Sequence, residues 1–201
     1  MILDRLLPQF DATVAVHRVL DGDPDAVYRA LTTADLAELP RSNPAVRALF
    51  AIRSAAERLA CALRGRSAPA ADARAQLRLA DLTAHGEWVK LAEDPPHELV
   101  YGAVGHFWGG ETAWETIDAA AFAGFDRPGY AKIVCGLSLR PYGDARTLVS
   151  YEARTQALDP ASRTAFLRYW RIVKPGAAIV MAGFLRAVAD PLRAARVPAD
   201  G

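Results

Sequence analysis

An α+β domain, in which an antiparallel sheet grips one long C-terminal helix, is predicted by three features of the 201 residues. From Asp159 to about Val188, the residues Phe166, Tyr169, Trp170, Val173, Ala177, Val180, Met181, Phe184 and Val188 fall on one helical arc. Ahead of it stand segments rich in β-branched and aromatic residues, separated by turn clusters, which read as strands. A helix with aromatics along one side needs a broad apolar partner, and those strands are its only candidates. Strand, helices, strands and a last helix, in that order, put the helix on one sheet face and leave room for a cavity between the two layers.

The first strand is Thr13 to Leu20, ended by the turn cluster Asp21-Gly22-Asp23-Pro24. Asp23 caps a short helix with Pro24 at its first position, and Val27 and Leu31, four apart, share its inner face. Asn43-Pro44 repeats that start signal. Val46, Leu49, Ile52, Ala56, Leu59, Ala60 and Leu63 then form an amphipathic face, with Arg47 and Arg58 opposite and Gly65 as the stop. Residues 66–73 read as a surface loop within the domain, because neither flank could bury a core alone. Trp88 to Ala92, Leu99 to Trp108, Ala131 to Arg140 and Arg146 to Gln156 are the further strands, with Pro95-Pro96 and Tyr142-Gly143-Asp144 as turns. The last two strands form a hairpin. With Pro141 to Ala145 as its loop, Leu137 faces Val149, Cys135 faces Tyr151 and Ile133 faces Ala153. The parity puts Ile133, Cys135, Leu137, Val149 and Tyr151 toward the helix and Glu152 and Arg154 away from it, at the expense of a like-charge pair between Lys132 and Arg154. Asp159-Pro160 opens the last helix as N-cap and first residue.

Half of the residues are hydrophobic, and residues 1–201 are most simply one globular domain. A net charge of +1 argues against nucleic acid as a partner. Charge is nonetheless uneven: eight arginines stand against Glu57 and Asp72 in residues 41–78, and nine acids against Lys90 in residues 81–126. A solvated helix face explains those arginines best, with contact to acidic partners or membrane phosphates as the alternative. Cys61 and Cys135 read as free thiols in a reducing compartment. The first eight residues, with Asp4 and Pro8, lack the apolar core of a signal peptide. No run approaches the ~18 apolar residues of a membrane span, so no integral membrane segment and a cytoplasmic location are expected.

Several segments carry a resemblance. They are Gly102-Ala-Val-Gly105-His-Phe-Trp108, Phe122 to Lys132 with Pro128-Gly129, Tyr151-Glu152-Ala-Arg154-Thr, and Asp159 to Trp170. Together with the opening Asp23-Pro-Asp-Ala-Val27, they look like bacterial members of the START-like, polyketide-cyclase-like (SRPBCC) superfamily. The resemblance covers most of the chain apart from residues 41–78, which look like a helical insertion near 43–65. It implies a helix-grip fold, a curved antiparallel sheet wrapped round the C-terminal helix. It implies little about chemistry, since that superfamily includes lipid carriers, cyclases and hydroxylase subunits.

His106 with Trp108, Glu111, Trp114 and Glu115 is the densest group of functional residue types, and an imidazole near carboxylates suits general acid–base work. The plainer reading has Trp108 and Trp114 as core or rim aromatics and His106 facing solvent. Gly109-Gly110 suggests a backbone bend, in keeping with a cavity mouth. Glu152 and Arg154, two apart on a strand, either anchor a polar group of a ligand or form an ion-pair network that Arg163 or Arg168 joins. Trp108, Tyr130, Tyr151, Tyr169, Trp170 and Val173 are the expected ligand-binding residues, unless they simply fill the core. Pro175-Gly176 bends the last helix, around the sheet or away from it. Ile172 and Ile179 mark either a homodimer contact or the seat of the extra helix. There is no Gly-rich phosphate loop, no Gly-x-Ser-x-Gly, no CxxC pair and no HExxH, and the four histidines are not at metal-ligand spacing. No cofactor and no metal are therefore expected. The expected role is to bind a small hydrophobic or amphipathic molecule between sheet and helix. A cyclase or dehydratase using His106, Glu152 and Arg154, and a partner-binding domain with a filled core, are the alternatives.

Overall fold

The computed structural model describes residues 1–35, 87–108 and 112–196. The expected insertion at 43–65, the loop at 66–73, Cys61, Glu111 and Gly109-Gly110 lie outside the described residues. The chain begins with a short helix α1 (Ile2–Leu6), followed by β1 (Ala12–Asp21) and α2 (Pro24–Thr33). Next come β2 (Val89–Asp94), β3 (Glu98–His106), β4 (Ala113–Glu115), a short α3 (Ala119–Gly124), β5 (Ala131–Pro141), β6 (Arg146–Ala157) and α4 (Pro160–Arg196). The strands form one antiparallel sheet in the order β1-β6-β5-β3-β2, with β4 paired to β3 beyond the end of β2. Sheet and long C-terminal helix together make the expected helix-grip architecture.

The local signals act as their chemistry dictates. Asp23 accepts the Ala26 N–H at 2.8 Å and Pro24 opens α2, whose Val27 and Leu31 are buried. Asp159 caps α4 by accepting the Ser162 N–H at 2.9 Å, and its other oxygen takes the Gly129 N–H at 2.7 Å. The Ser162 hydroxyl first, and then these two backbone donors, hold its carboxyl down to a pKa of about 2. The helix continues through Pro175 and Pro191 and so runs past Val188. Among the described residues α4 is the one helix long and apolar enough to cross a membrane by length and composition. Its Phe166, Met181, Phe184, Leu185 and Val188 are buried in the protein, and the core helix of a globular fold meets the same criterion.

The β5–β6 register is two residues from the one expected. Leu137 stands opposite Tyr151, Cys135 opposite Ala153 and Ile133 opposite Thr155. The cause is the hairpin end. Pro141 pairs with Thr147, and the Tyr142 N–H donates to the Arg146 carbonyl at 2.9 Å, leaving Gly143, Asp144 and Ala145 as the tip. Gly143 and Ala145 take the positive φ values of 63° and 48° that so short a loop requires. A slip of two keeps every side chain on its face. It also separates Lys132 from Arg154: Lys132 meets Gln156, and Arg154 meets Val134.

Both sheet faces are covered. Toward α4 and α2 lie Leu20, Leu99, Tyr101, Leu137, Leu139 and Val149, packed on Val27, Leu31, Phe184, Leu185 and Val188. On the opposite face Leu3 and Leu7 from the N-terminal segment and Phe122 from α3 pack on Val100, Val104 and Val134. Gly136 makes the α1 contact possible, since a Cβ there would stand 3.1 Å from Leu3 Cδ1. Neither α1 nor α3 is legible as an element in the sequence, and a helix of one or two turns has no independent stability to advertise.

Candidate functional site

The side of the sheet facing α4 divides into a dry floor and an accessible wall. Leu99, Tyr101, Leu137, Val149 and Phe184 are all buried. Ile133, Cys135, Tyr151 and Ala153 share that face, yet each retains partial exposure. Trp170, Val173, Ala177 and Val180 do the same on the inward arc of α4. Tyr151 and Cys135 lie deep among protein atoms: desolvation pushes the Cys135 thiol up to about 12 and raises the Tyr151 hydroxyl well above its ordinary value. The two groups hydrogen-bond each other, which raises Tyr151 further and moderates Cys135. Ile133, Cys135, Tyr151 and Ala153 on the sheet and the half-buried residues on the facing arc of α4 line a recess beside the dry floor. At neutral pH both are uncharged, one a hydroxyl and the other a weak S–H donor.

A file of aromatic rings lies on the same side of the sheet, against the first turns of α4. Trp88 and Trp114 lie 6.3 Å apart, and Trp114 stacks on Phe107 at 5.5 Å with 17° between the planes. Phe107 meets Phe166 and Tyr169 of α4 edge-on at 5.8 and 6.4 Å, and Phe166 meets Trp170 at 5.9 Å. Gly105 seats the Trp114 ring: a Cβ at that position would come within 2.5 Å of Trp114 Cε3. Trp88, Phe107, Trp114, Tyr169 and Trp170 are all half-buried. Rings that are neither sealed in the core nor free on the surface offer apolar faces to a guest.

The residues expected at the site are divided by the structure. Tyr151, Tyr169, Trp170 and Val173 belong to the helix-facing side. Trp108 is only 4% exposed and packs with Ala12, Ala131 and Phe166, so it fills the core behind the aromatic file. Tyr130 lies with Phe125 on the other side of the sheet, beneath the Arg127 guanidinium at 4.4 Å. Its hydroxyl bonds Glu115, which raises its pKa. His106 turns Nδ1 to the Gly129 carbonyl at 3.0 Å and lays its ring 4.4 Å from Trp108, joining the end of β3 to the turn before β5.

Glu152 and Arg154 face away from α4, and a buried guanidinium organises the charges there. Arg154 Nε meets Glu152 Oε1 at 2.7 Å and Nη2 meets Asp4 Oδ1 at 2.8 Å. Nη1 reaches the Leu7 carbonyl at 3.4 Å, and the group stacks over Phe10 at 4.7 Å. Arg154 holds the Asp4 carboxyl below its usual range, chiefly by that hydrogen bond. Arg163 does not join this network; it pairs with Asp11 at 2.6 Å. The pair therefore fastens the N-terminal segment to the back of the sheet. The same holds for Lys132, which donates to the Ala123 carbonyl at 2.8 Å and lies over the Phe122 ring, with its pKa lowered by desolvation.

The sequence gives no reason to expect Trp88 and Phe107 at the site. Both contact Trp114 of β4, a strand of three residues whose only sequence trace is Trp114 opposite Gly105. Among the described residues no group of three His, Cys, Asp or Glu side chains is placed to hold a metal ion.

No protein family pattern matches the sequence, and no curated protein matches it. Similar solved structures include a protein of Mesorhizobium loti, at 17% identity and a TM-score of 0.41, over 92% of this chain and 99% of that one. A conserved protein of Geobacillus kaustophilus matches at 9% identity and a TM-score of 0.41, over 92% and 97% of the two chains. A protein of Thermus thermophilus matches at 11% identity and a TM-score of 0.33, over 92% and 100%.

Proposed function

We propose that the protein binds a small, mainly apolar and uncharged molecule between the helix-facing side of the sheet and α4. The observation that carries this is the partial exposure of Ile133, Cys135, Tyr151 and Ala153 on the sheet together with Trp170, Val173, Ala177 and Val180 on the facing arc of α4. The half-buried aromatic file supports it, supplying ring faces for an apolar body while Tyr151 supplies one neutral hydrogen-bonding group. The START-like resemblance of the sequence agrees with this use of the fold. The cyclase reading requires His106 or Glu152 in the same recess; their hydrogen bonds to Gly129 and Arg154 give it no support.

Native mass spectrometry of the freshly purified protein, with organic extraction of co-purifying material, tests the reading. A retained neutral apolar compound is expected, and Trp170→Ala should lower its occupancy without loss of the folded circular-dichroism spectrum. If the protein is free of ligand and also takes up no apolar fluorescent probe, the recess is a filled core and the reading fails.

A further inference from the structure

The outward side of α4 carries a second pattern, independent of the recess. Arg168, Ile172, Pro175, Ile179, Ala182 and Arg186 follow at alternating steps of four and three, so they form one line along the helix. All six are exposed, Ile172 at 82% and Ile179 at 40%. Arg171 and Lys174, also exposed, flank the line. Arg168, Arg171, Lys174 and Arg186 hold no ion pair among the described residues, whereas Arg163 and Arg193 are turned to Asp11 and Asp21. Along the whole of α4 the only acid is Asp190. Ile172, four-fifths exposed in the middle of a cationic helix face, is the most exposed large hydrophobic side chain among the described residues.

Charge decides the occupant. A second copy packing this line against its own would bring arginine against arginine, in either relative direction, because Arg168 and Arg186 end the apolar stretch. An anionic lipid surface meets both halves of the pattern, accepting the isoleucines at the acyl boundary and the guanidinium and ammonium groups among its headgroups. We propose that α4 lies flat on anionic membrane surfaces through Ile172 and Ile179, with Arg168, Arg171, Lys174 and Arg186 on the lipid phosphates. The contact is peripheral, since the opposite side of the same helix is packed in the protein core.

The test is co-sedimentation of the full chain with vesicles of phosphatidylcholine alone and of phosphatidylcholine with about 40% phosphatidylglycerol. Binding to the anionic vesicles is expected at least about tenfold above the neutral ones, falling as salt is raised. Ile172→Glu with Ile179→Glu, both at exposed positions, should abolish it while circular dichroism and ligand occupancy stay as in the wild type. Arg168→Ser, Arg171→Ser and Lys174→Ser together should weaken it with the isoleucines intact. No binding to anionic vesicles, or binding that the double isoleucine variant leaves unchanged, overturns the proposal. So does a concentration-dependent dimer that the same variant dissolves, which would make the line a contact between copies.

Discussion

On the sheet face away from α4, ionised side chains fasten the covering chain; on the face toward α4, the polar groups at the recess are neutral and the residues around them are only half-buried. Arg154 gathers Glu152, Asp4, the Leu7 carbonyl and the Phe10 ring, and Lys132 holds the end of α3. Behind these, Leu3, Val100, Val104, Phe122 and Val134 form a sealed cluster. Across the same strands, Tyr151 and Cys135 bond only one another among the described residues, and the rings nearest α4 are half-buried. A face built for stability is closed and satisfied. A face that keeps apolar surface half-open gives up hydrophobic stabilisation, which a guest can restore on binding.

The contrast predicts unequal losses on truncation. Phe122 is 1% exposed and supports the Lys132 ammonium as well as the back cluster, so Phe122→Ala should cost about 3–5 kcal/mol in urea denaturation. Trp114, larger but half-buried on Gly105, should cost only about 1–2 kcal/mol as Trp114→Ala, and should reduce ligand uptake. Equal losses at the two sites would remove the distinction between the faces.

Arg154→Met keeps much of the side chain's bulk and removes its charge. Glu152, mostly buried, is then left without its cation, and the cost should be about 2 kcal/mol. Asp4→Asn should cost no more than about 0.5 kcal/mol, because Asp4 is half-exposed and water screens its half of the pair. If the two substitutions cost the same, the N-terminal segment rather than the Glu152 contact would be the main dependant of this guanidinium.

A third charge sits where both faces meet, at the start of α4. Asp159 has its folded pKa depressed to about 2 from an ordinary 3.8, so its contribution is complete above the higher value and disappears as pH falls through the lower one. Asp159→Ala should lower the melting temperature by roughly 2–4 °C at neutral pH. That gap between variant and wild type should narrow below about pH 4 and close near pH 2. A gap independent of pH would assign the loss to packing of the Pro160 turn instead of the carboxylate.

How far all this was legible depends on the range of the interactions. The caps at Asp23 and Asp159, the arc on α4 and the face parity of β5 and β6 come from neighbours close in sequence, and the chain displays them directly. The register came out two residues off because Pro141 resembles a turn residue while acting as the last residue of a strand. Glu152 and Arg154 were placed on the correct face by parity, but their partner Asp4 lies 150 residues from Arg154, and nothing local announces it. Tyr130 and Trp108 show the limit for the site. An aromatic beside a strand reads the same whether it enters the recess, the core or the far face, and only the packing of α3 and α4 separates the three. Trp88 and Phe107 reach the site through β4, a strand too short to leave a periodic pattern.

A small expected change in stability is the most informative about the recess. Tyr151→Phe removes one oxygen and keeps the ring that contacts Phe184 at 5.9 Å. On the back face, deleting one partner of a hydrogen bond strands a charge. Here it leaves only the Cys135 S–H, a weak donor that is uncharged at neutral pH, so the melting temperature should move by no more than about 2 °C. A ligand oxygen held by that hydroxyl loses a net hydrogen bond of about 0.5–1.5 kcal/mol, which is a fall in affinity of roughly two- to tenfold. Calorimetric titration of Tyr151→Phe against the extracted compound separates the two effects. Unchanged affinity with an unchanged melting point would mean that Tyr151 lines the recess without contacting its guest, and the hydrogen-bonding role would pass to Tyr169 or to the ligand's own solvation.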